Sequence, residues 1–218
     1  LPWLAVLACS RATEDQTSEP TLGSQFRVVP STGIPDTLDI QEANNNLDVI
    51  EHQDRIYFAF RTAPEHFASE RTELHVVSST DQVNWRTEAT FFEGTDLREP
   101  RFLSLGDQLF LYFAVLGDNP LAFEPQGSRV SVLENGEWSD ALPIFDDDFI
   151  PWRARTVEGV PMLMGYTGGA DLYDLDTSMP EIEVQWLTTT DGLNWEAYVT
   201  GQATVHTGGG SETDWAFA

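Results

Sequence analysis

A single cysteine, Cys9, excludes an intrachain disulfide, so this chain is not a disulfide-stapled scaffold. Basic side chains are scarce too: Lys and Arg together number 11 against 36 Asp and Glu, a formal net charge of -25. Such a surface repels a phosphate backbone, which excludes nucleic acid as a partner. No apolar run is long enough for a membrane-spanning helix, and helical periodicity is almost missing after residue 40. Zinc-ligand spacings are absent, as is a Ser-His-Asp order. Gly208–Gly210 lacks the lysine and helix that a phosphate loop needs. No cofactor and no metal site are implied.

What is present is a globular composition, 41% hydrophobic with 13 Phe, 7 Trp and 5 Tyr, in which the acidic residues are scattered as a solvated surface. The first nine residues are different. An apolar run ending Val6-Leu7-Ala8-Cys9-Ser10 resembles the end of a bacterial lipoprotein signal peptide, whose cysteine becomes the lipidated first residue. That resemblance implies lipidation at Cys9, membrane attachment through it and a place in the cell envelope, a cleaved secretory signal being the alternative. Residues 1–9 thus read as the remnant of an export signal, and 10–44 as a polar tether and lead-in.

Beyond residue 44 short β-branched and aromatic runs recur between Gly, Asp and Asn turns, the pattern of a sheet protein. Residues 47–61, 98–114 and 150–166 each read as strand, tight turn, strand, with turn residues Asp54, Asp107 and Gly159 recurring at about fifty positions. That period is one four-stranded propeller blade. In a second phase, Ser79-Thr80-Asp81-Gln82-Val83-Asn84-Trp85 and Thr189-Thr190-Asp191-Gly192-Leu193-Asn194-Trp195 share one pattern, with a degenerate copy at Glu134–Trp138. There the Asp carboxylate accepts backbone N–H groups inside the turn and the Trp folds back between sheets, a structural role. The fold class is all-β: a β-propeller with blades at about 45–95, 96–147 and 148–205, and a truncated fourth at 206–218. Such an arc cannot close a ring, so the natural protein is expected to be longer.

These turns resemble the Asp-box, or BNR, repeat of the sialidase superfamily, with Asp81, Trp85, Asp191 and Trp195 as its marked positions. The resemblance covers residues 45–218 and implies a six-bladed, carbohydrate-active propeller that hydrolyses glycosides at its axial pocket. A five-bladed glycosidase of the arabinanase and fructosidase type is the nearest alternative. A non-catalytic surface propeller that binds glycan or protein is another. The partner implied is a glycan, with the protein itself a monomer.

In a propeller the innermost strands face the axis, so residues in one phase converge on one pocket. Asp48, Arg61, Arg98, Glu99, Arg101, Arg153, Arg155, Glu212 and Asp214 fall at blade openings or strand ends. The acids Asp48, Glu99 and Glu212 are the catalytic candidates, as general acid, general base or supporting carboxylate. Arg98 and Arg153 are candidates for clamping a substrate through the planar guanidinium fork. Arg101 and Arg155, deeper in their strands, suit ion pairs that tie blades together. Phe58-Ala59-Phe60-Arg61-Thr62-Ala63-Pro64 resembles the first-blade arginine region of sialidase-like proteins, which implies a carboxylate-binding Arg61. Leu97-Arg98-Glu99-Pro100-Arg101 resembles the Arg-Asp-Pro that opens a blade in such families. The resemblance also implies a tyrosine nucleophile in a late blade; Tyr166 sits early, and Glu212 is the candidate for the supporting glutamate. His66 is placed to hydrogen-bond a sugar hydroxyl, and Asp146–Asp148 reads as a solvated acidic run.

Overall fold

A computed structural model describes residues 23–169 and 181–216; the export run and Cys9 lie outside them. The described residues form strands and no helix, arranged in three antiparallel sheets. The first sheet is β1 (Ala43–His52), β2 (Arg55–Ala63), β3 (Glu73–Ser79) and β4 (Arg86–Phe91), in that order. The second is β5 (Asp96–Leu105), β6 (Gln108–Leu116) and β7 (Pro125–Glu134), with β8 (Glu137–Trp138) and β9 (Leu142–Ile144) both paired to β7. The third is β10 (Ile150–Val157), β11 (Val160–Thr167) and β12 (Ile182–Thr189), with β13 (Trp195–Ala197) and β14 (Thr204–Gly208) both paired to β12. Each sheet is one propeller blade, and the three form an open arc.

Tight turns explain the meander. At Gln53-Asp54, Asn135-Gly136 and Glu158-Gly159 both central residues have positive φ, the two-residue hairpin whose twist matches that of its strands. Alternation then sorts side chains between blades. Tyr57, Ala59, Leu74 and Val76 of blade one meet Leu97, Phe102, Leu109, Leu111 and Phe113 of blade two. The opposite face of β6, with Phe110 and Tyr112, meets Phe149, Leu163 and Leu187 of blade three. β6 therefore reads as an unbroken apolar run, because both of its faces are buried.

Two expected boundaries change. The third blade runs past 205, because β14 pairs along β12, and the described residues after Gly208 form no strand. The stretch 10–44 is not tether throughout: from Val28 onward it packs. Val28, Val29, Ile34, Leu38 and Ile40 cover Phe58, Phe60 and Val77, the face of blade one turned away from blade two. The backbone N–H of Trp85 donates to the Gly33 carbonyl at 2.9 Å. A Cβ at Gly33 would fall 1.9 Å from the Val83 carbonyl oxygen, so only glycine allows this approach.

The two Asp turns have the same internal wiring. Asp81 Oδ1 accepts the N–H groups of Val83 at 2.9 Å and Asn84 at 2.7 Å, while its Oδ2 accepts the Asn84 side-chain amide at 2.8 Å. Asp191 takes Leu193 N–H at 2.9 Å, Asn194 N–H at 2.7 Å and the Asn194 amide at 2.7 Å. These donors hold both carboxyl groups well below the usual carboxylate range, led by the Asn84 side chain in the first turn and the Asn194 backbone in the second. Trp85 packs on Phe58 beside the lead-in, whereas Trp195 meets Tyr112 of blade two edge-on, with ring centroids 5.7 Å apart. The Tyr112 hydroxyl donates to the Gly192 carbonyl at 2.7 Å. A Cβ on Gly192, whose φ is +75°, would lie 2.5 Å from the Phe110 ring.

This last contact makes a stability prediction. Tyr112→Phe should cost about 1 kcal/mol through the lost buried hydrogen bond. Gly192→Ala should cost about 2–4 kcal/mol, combining a disfavoured φ with overpacking. Urea unfolding with an unchanged slope would measure both, and a Gly192→Ala cost no larger than that of Tyr112→Phe would refute the close seating of the turn.

Candidate functional site

The innermost strands β1, β5 and β10 share a defect at the same end. Their pairing with β2, β6 and β11 slips between Asn45 and Leu47, between Arg98 and Arg101, and between Pro151 and Arg153. A bulge of this kind leaves a residue unpaired and re-aims its side chain. The residues so freed include Asn46 and Glu99, both at positive φ (43° and 53°), and Trp152. All three line one cavity of about 410 Å³. His66 and Phe67 join it from the β2–β3 loop, Phe123 from the β6–β7 loop, Tyr166 from the end of β11, and Glu212 from beyond β14.

Glu99 is the buried acid of the cavity. Asn46 Nδ2 donates to its Oε1, and Arg101 Nη2 donates to its Oε2 at 2.7 Å. Burial pushes its carboxyl pKa above the ordinary range, opposed by the Arg101 and Arg98 charges and reinforced by repulsion from Glu212. Arg101 has no donor nitrogen to spare. Its Nε donates to the Trp152 carbonyl and its Nη1 to the Pro100 carbonyl at 2.9 Å, and its guanidinium lies 5.0 Å from the centroid of the Trp152 ring.

Under the cavity wall lies an ion cluster centred on Asp96, which is fully buried. Its Oδ1 accepts Arg61 Nε at 2.9 Å, Arg61 Nη2 at 2.7 Å and the Thr72 hydroxyl at 2.7 Å; its Oδ2 accepts Arg98 Nε. Arg61 also donates to the carbonyls of Glu65 and Phe67, at 3.3 Å and 2.9 Å, and Arg98 Nη2 to that of His66 at 2.6 Å. The pair of arginines thus shapes the loop that carries His66 and Phe67 to the cavity. Arg61 Nη1 further donates to Asn45 Oδ1 at 3.2 Å, so the Asn45 amide must turn its Nδ2 toward His66 Nδ1, 2.9 Å away. His66 Nδ1 is then an acceptor and Nε2 carries the proton.

Several expectations are corrected here. Arg61 does not face a substrate: it is 0% exposed, with Nε, Nη1 and Nη2 all engaged by protein acceptors. Asp48 is not in the cavity. Its carboxylate accepts the Phe102 N–H at 2.8 Å and binds Arg155 at 2.8 Å and 2.5 Å, one strut across all three inner strands. Arg153 pairs with Asp214 at 3.3 Å away from the cavity, because the bulge gives its place to Trp152. Arg98, Glu99, His66 and Glu212 do line the cavity, as does Tyr166. Sequence reasoning missed Asp96, Asn46 and Trp152. The available signal for Asp96 was an acid two positions before Arg98 at a blade opening. For Asn46 it was a polar run, Asn44–Asn46, just before an apolar strand. Among the described residues, no group of His, Cys, Asp and Glu side chains is placed to hold a metal ion.

No family model matches the sequence, and no curated protein does. Among solved structures, the Trypanosoma rangeli sialidase in complex with the inhibitor DANA aligns with a TM-score of 0.55 at 12% identity, over 71% of this chain and 30% of that one. A family 117 glycoside hydrolase of the marine bacterium Zobellia galactanivorans aligns with a TM-score of 0.50 at 12% identity, over 72% of this chain and 56% of that one. The fold is that of a β-propeller. This propeller chain spans about half, or less, of the length of the structures it resembles. Likeness at such identity concerns the fold; the chemistry is argued from the propeller's own residues.

Two outcomes follow from the ion cluster of the propeller. Asp96→Ala strands two guanidinium groups and should cost about 3–5 kcal/mol in denaturant unfolding, a loss of less than about 1 kcal/mol being incompatible with this wiring. Nitrogen-15 spectra at neutral pH should show His66 protonated at Nε2, and Asn45→Asp, which faces Nδ1 with an acceptor, should move the proton to Nδ1. A ring already protonated at Nδ1 in the unaltered protein would contradict the relay from Arg61.

Proposed function

We propose that the chain carries the substrate cavity of a glycoside hydrolase, with Glu99 as general acid, Glu212 as the second carboxylate, and Arg98 and His66 as donors to sugar oxygens. One observation supports this reading above the others: a carboxyl group that burial holds toward its protonated form lies in a cavity beside a second carboxyl group. An acid whose proton is held to higher pH than a free glutamate's can hand that proton to a leaving oxygen. The second carboxylate then faces the positive charge that develops on the sugar ring as the bond to that oxygen breaks. The Asn46 and Arg101 contacts hold Glu99 in one orientation, so no reorganisation is needed at the moment of transfer.

The finer, sialidase-like form of the reading draws on the paired Asp turns and on the fold likeness. Of its expected carboxylate-binding arginines, Arg98 is the one that lines the cavity. A panel of fluorogenic glycosides, including a sialoside, tests the reading on the protein that carries this chain. Turnover of one member should fall by about 10²–10⁴-fold in Glu99→Gln and also drop in Glu212→Gln. Because the Glu99 pKa is raised, its acid form persists to higher pH than that of a free glutamate. Activity should decline as pH rises through that pKa, and Glu99→Gln should remove this basic limb. Full activity in both variants would sink the assignment, while glycan binding without any turnover would leave a binding propeller.

A further inference from the structure

We infer that Trp215 is the positioning residue for Glu212: by stacking on blade three it fixes the backbone that carries the second carboxylate to the cavity, an assignment that rests on the glycosidase reading for its effect on turnover. Glu212 needs such an anchor. Among the described residues its carboxylate accepts no hydrogen bond and joins no ion pair, unlike Glu99, which Asn46 and Arg101 hold. The backbone that carries Glu212 therefore decides where its carboxylate sits, and the described residues after Gly208 form no strand that would hold it.

Sheet alternation shows what holds it instead. Ala154, Leu163 and Leu187 lie in register across β10, β11 and β12 and pack toward blade two. The neighbouring rung, Arg153, Met164 and Trp186, points to the opposite face. Residues 214–215 cross that rung. Asp214 Oδ2 lies 3.3 Å from Arg153 Nε, and the Trp215 and Trp186 rings stack with centroids 6.5 Å and planes 13° apart. Trp186 is itself fixed: its N–H donates to the Ala203 carbonyl at 2.9 Å, its carbonyl accepts the Tyr198 N–H at 2.9 Å, and its ring stacks on Tyr198 with centroids 4.2 Å apart. Asp214 Oδ1 accepts the Trp215 N–H at 2.8 Å, which ties the ion pair and the stack into one unit. The stack is the stronger hold, because the ion pair is open to solvent and screened. Trp215 follows Glu212 by three positions, about 10 Å of fully extended chain, so fixing the one limits how far the other can stray.

Repulsion from Glu212 helps to raise the Glu99 pKa, so the Glu99 carboxyl reports where Glu212 is. Carbon-13 titration of that carboxyl, assigned by its loss in Glu99→Gln, reads the placement on the protein that carries this chain without any turnover. Trp215→Leu keeps apolar bulk and removes the ring; it should lower the Glu99 pKa by at least half of the drop that Glu212→Gln produces. Combined with Glu212→Gln it should add no further drop, and Trp215→Tyr, which keeps a ring, should restore the value. Trp186→Leu, which removes the other half of the stack, should act as Trp215→Leu does, the two together doing no more than either. None of these substitutions touches the other groups near Glu99: Arg98 and Arg101 on its own strand, Asn46 on β1, and Asp96, His66 and Tyr166. On a glycoside that is turned over, kcat in Trp215→Leu should fall about tenfold or more with KM held within about twofold, and the basic limb of activity should move to lower pH. An unchanged Glu99 pKa in folded Trp215→Leu and Trp186→Leu would overturn the positioning role and leave the glycosidase reading standing. Absence of turnover by the unaltered protein would sink that reading, while the titration would still decide the placement of Glu212.

Discussion

The site depends on the buried carboxylate of Asp96. A charge removed from water is tolerated only when partners surround it, and Asp96 has two guanidinium groups and a hydroxyl. Those partners come from both sides of a blade boundary. Arg61 and Thr72 belong to the first blade, Asp96 and Arg98 open the second, and the loop carbonyls of Glu65, His66 and Phe67 complete the set. One acid therefore joins two blades and orders a cavity wall. The Asp48–Arg155 pair does a comparable task further along the inner strands, spanning from the first blade to the third.

Arginine is the instrument in each case, and all eleven basic residues of the chain are arginine. An ammonium group is a point charge on a flexible stem, whereas a guanidinium presents several donors in a fixed plane. Arg61 uses that plane to bind a carboxylate, two carbonyls, an amide oxygen and a hydroxyl at once. Arg155 likewise binds Asp48 together with the carbonyls of Val49, Phe102 and Ala154. Open inner strands, which lack a neighbour on one side, are tied to one another through these side chains.

The blade repeat was legible in the sequence because its cause is local. Paired positive-φ residues at Gln53-Asp54 and Glu158-Gly159, and the Ser/Thr-x-Asp turns, act within a few positions and recur at a constant interval. The meeting of Arg98 and Glu99 at one cavity followed from their shared place at a blade opening, and Glu212 reaches the same cavity from beyond β14. What resisted reading was register. A bulge shifts which residue faces the axis by one position, so Trp152 rather than Arg153 enters the cavity, and no alternation of apolar and polar residues announces it. Arg61 was misplaced for a related reason: a charged residue at a strand end looks exposed until its partner, Asp96, distant in sequence, is known.

The packed lead-in alters where this domain starts. Among the described residues the first strand begins at Ala43, and a truncation guided by strands alone would cut there. Such a cut would strip Val28, Ile34 and Ile40 from Phe58, Phe60 and Val77 and bare a greasy sheet face, the usual cause of an insoluble recombinant product. Among the described residues, packing on the blade begins at Val28, in a stretch without strand or helix whose worth lies in what it covers.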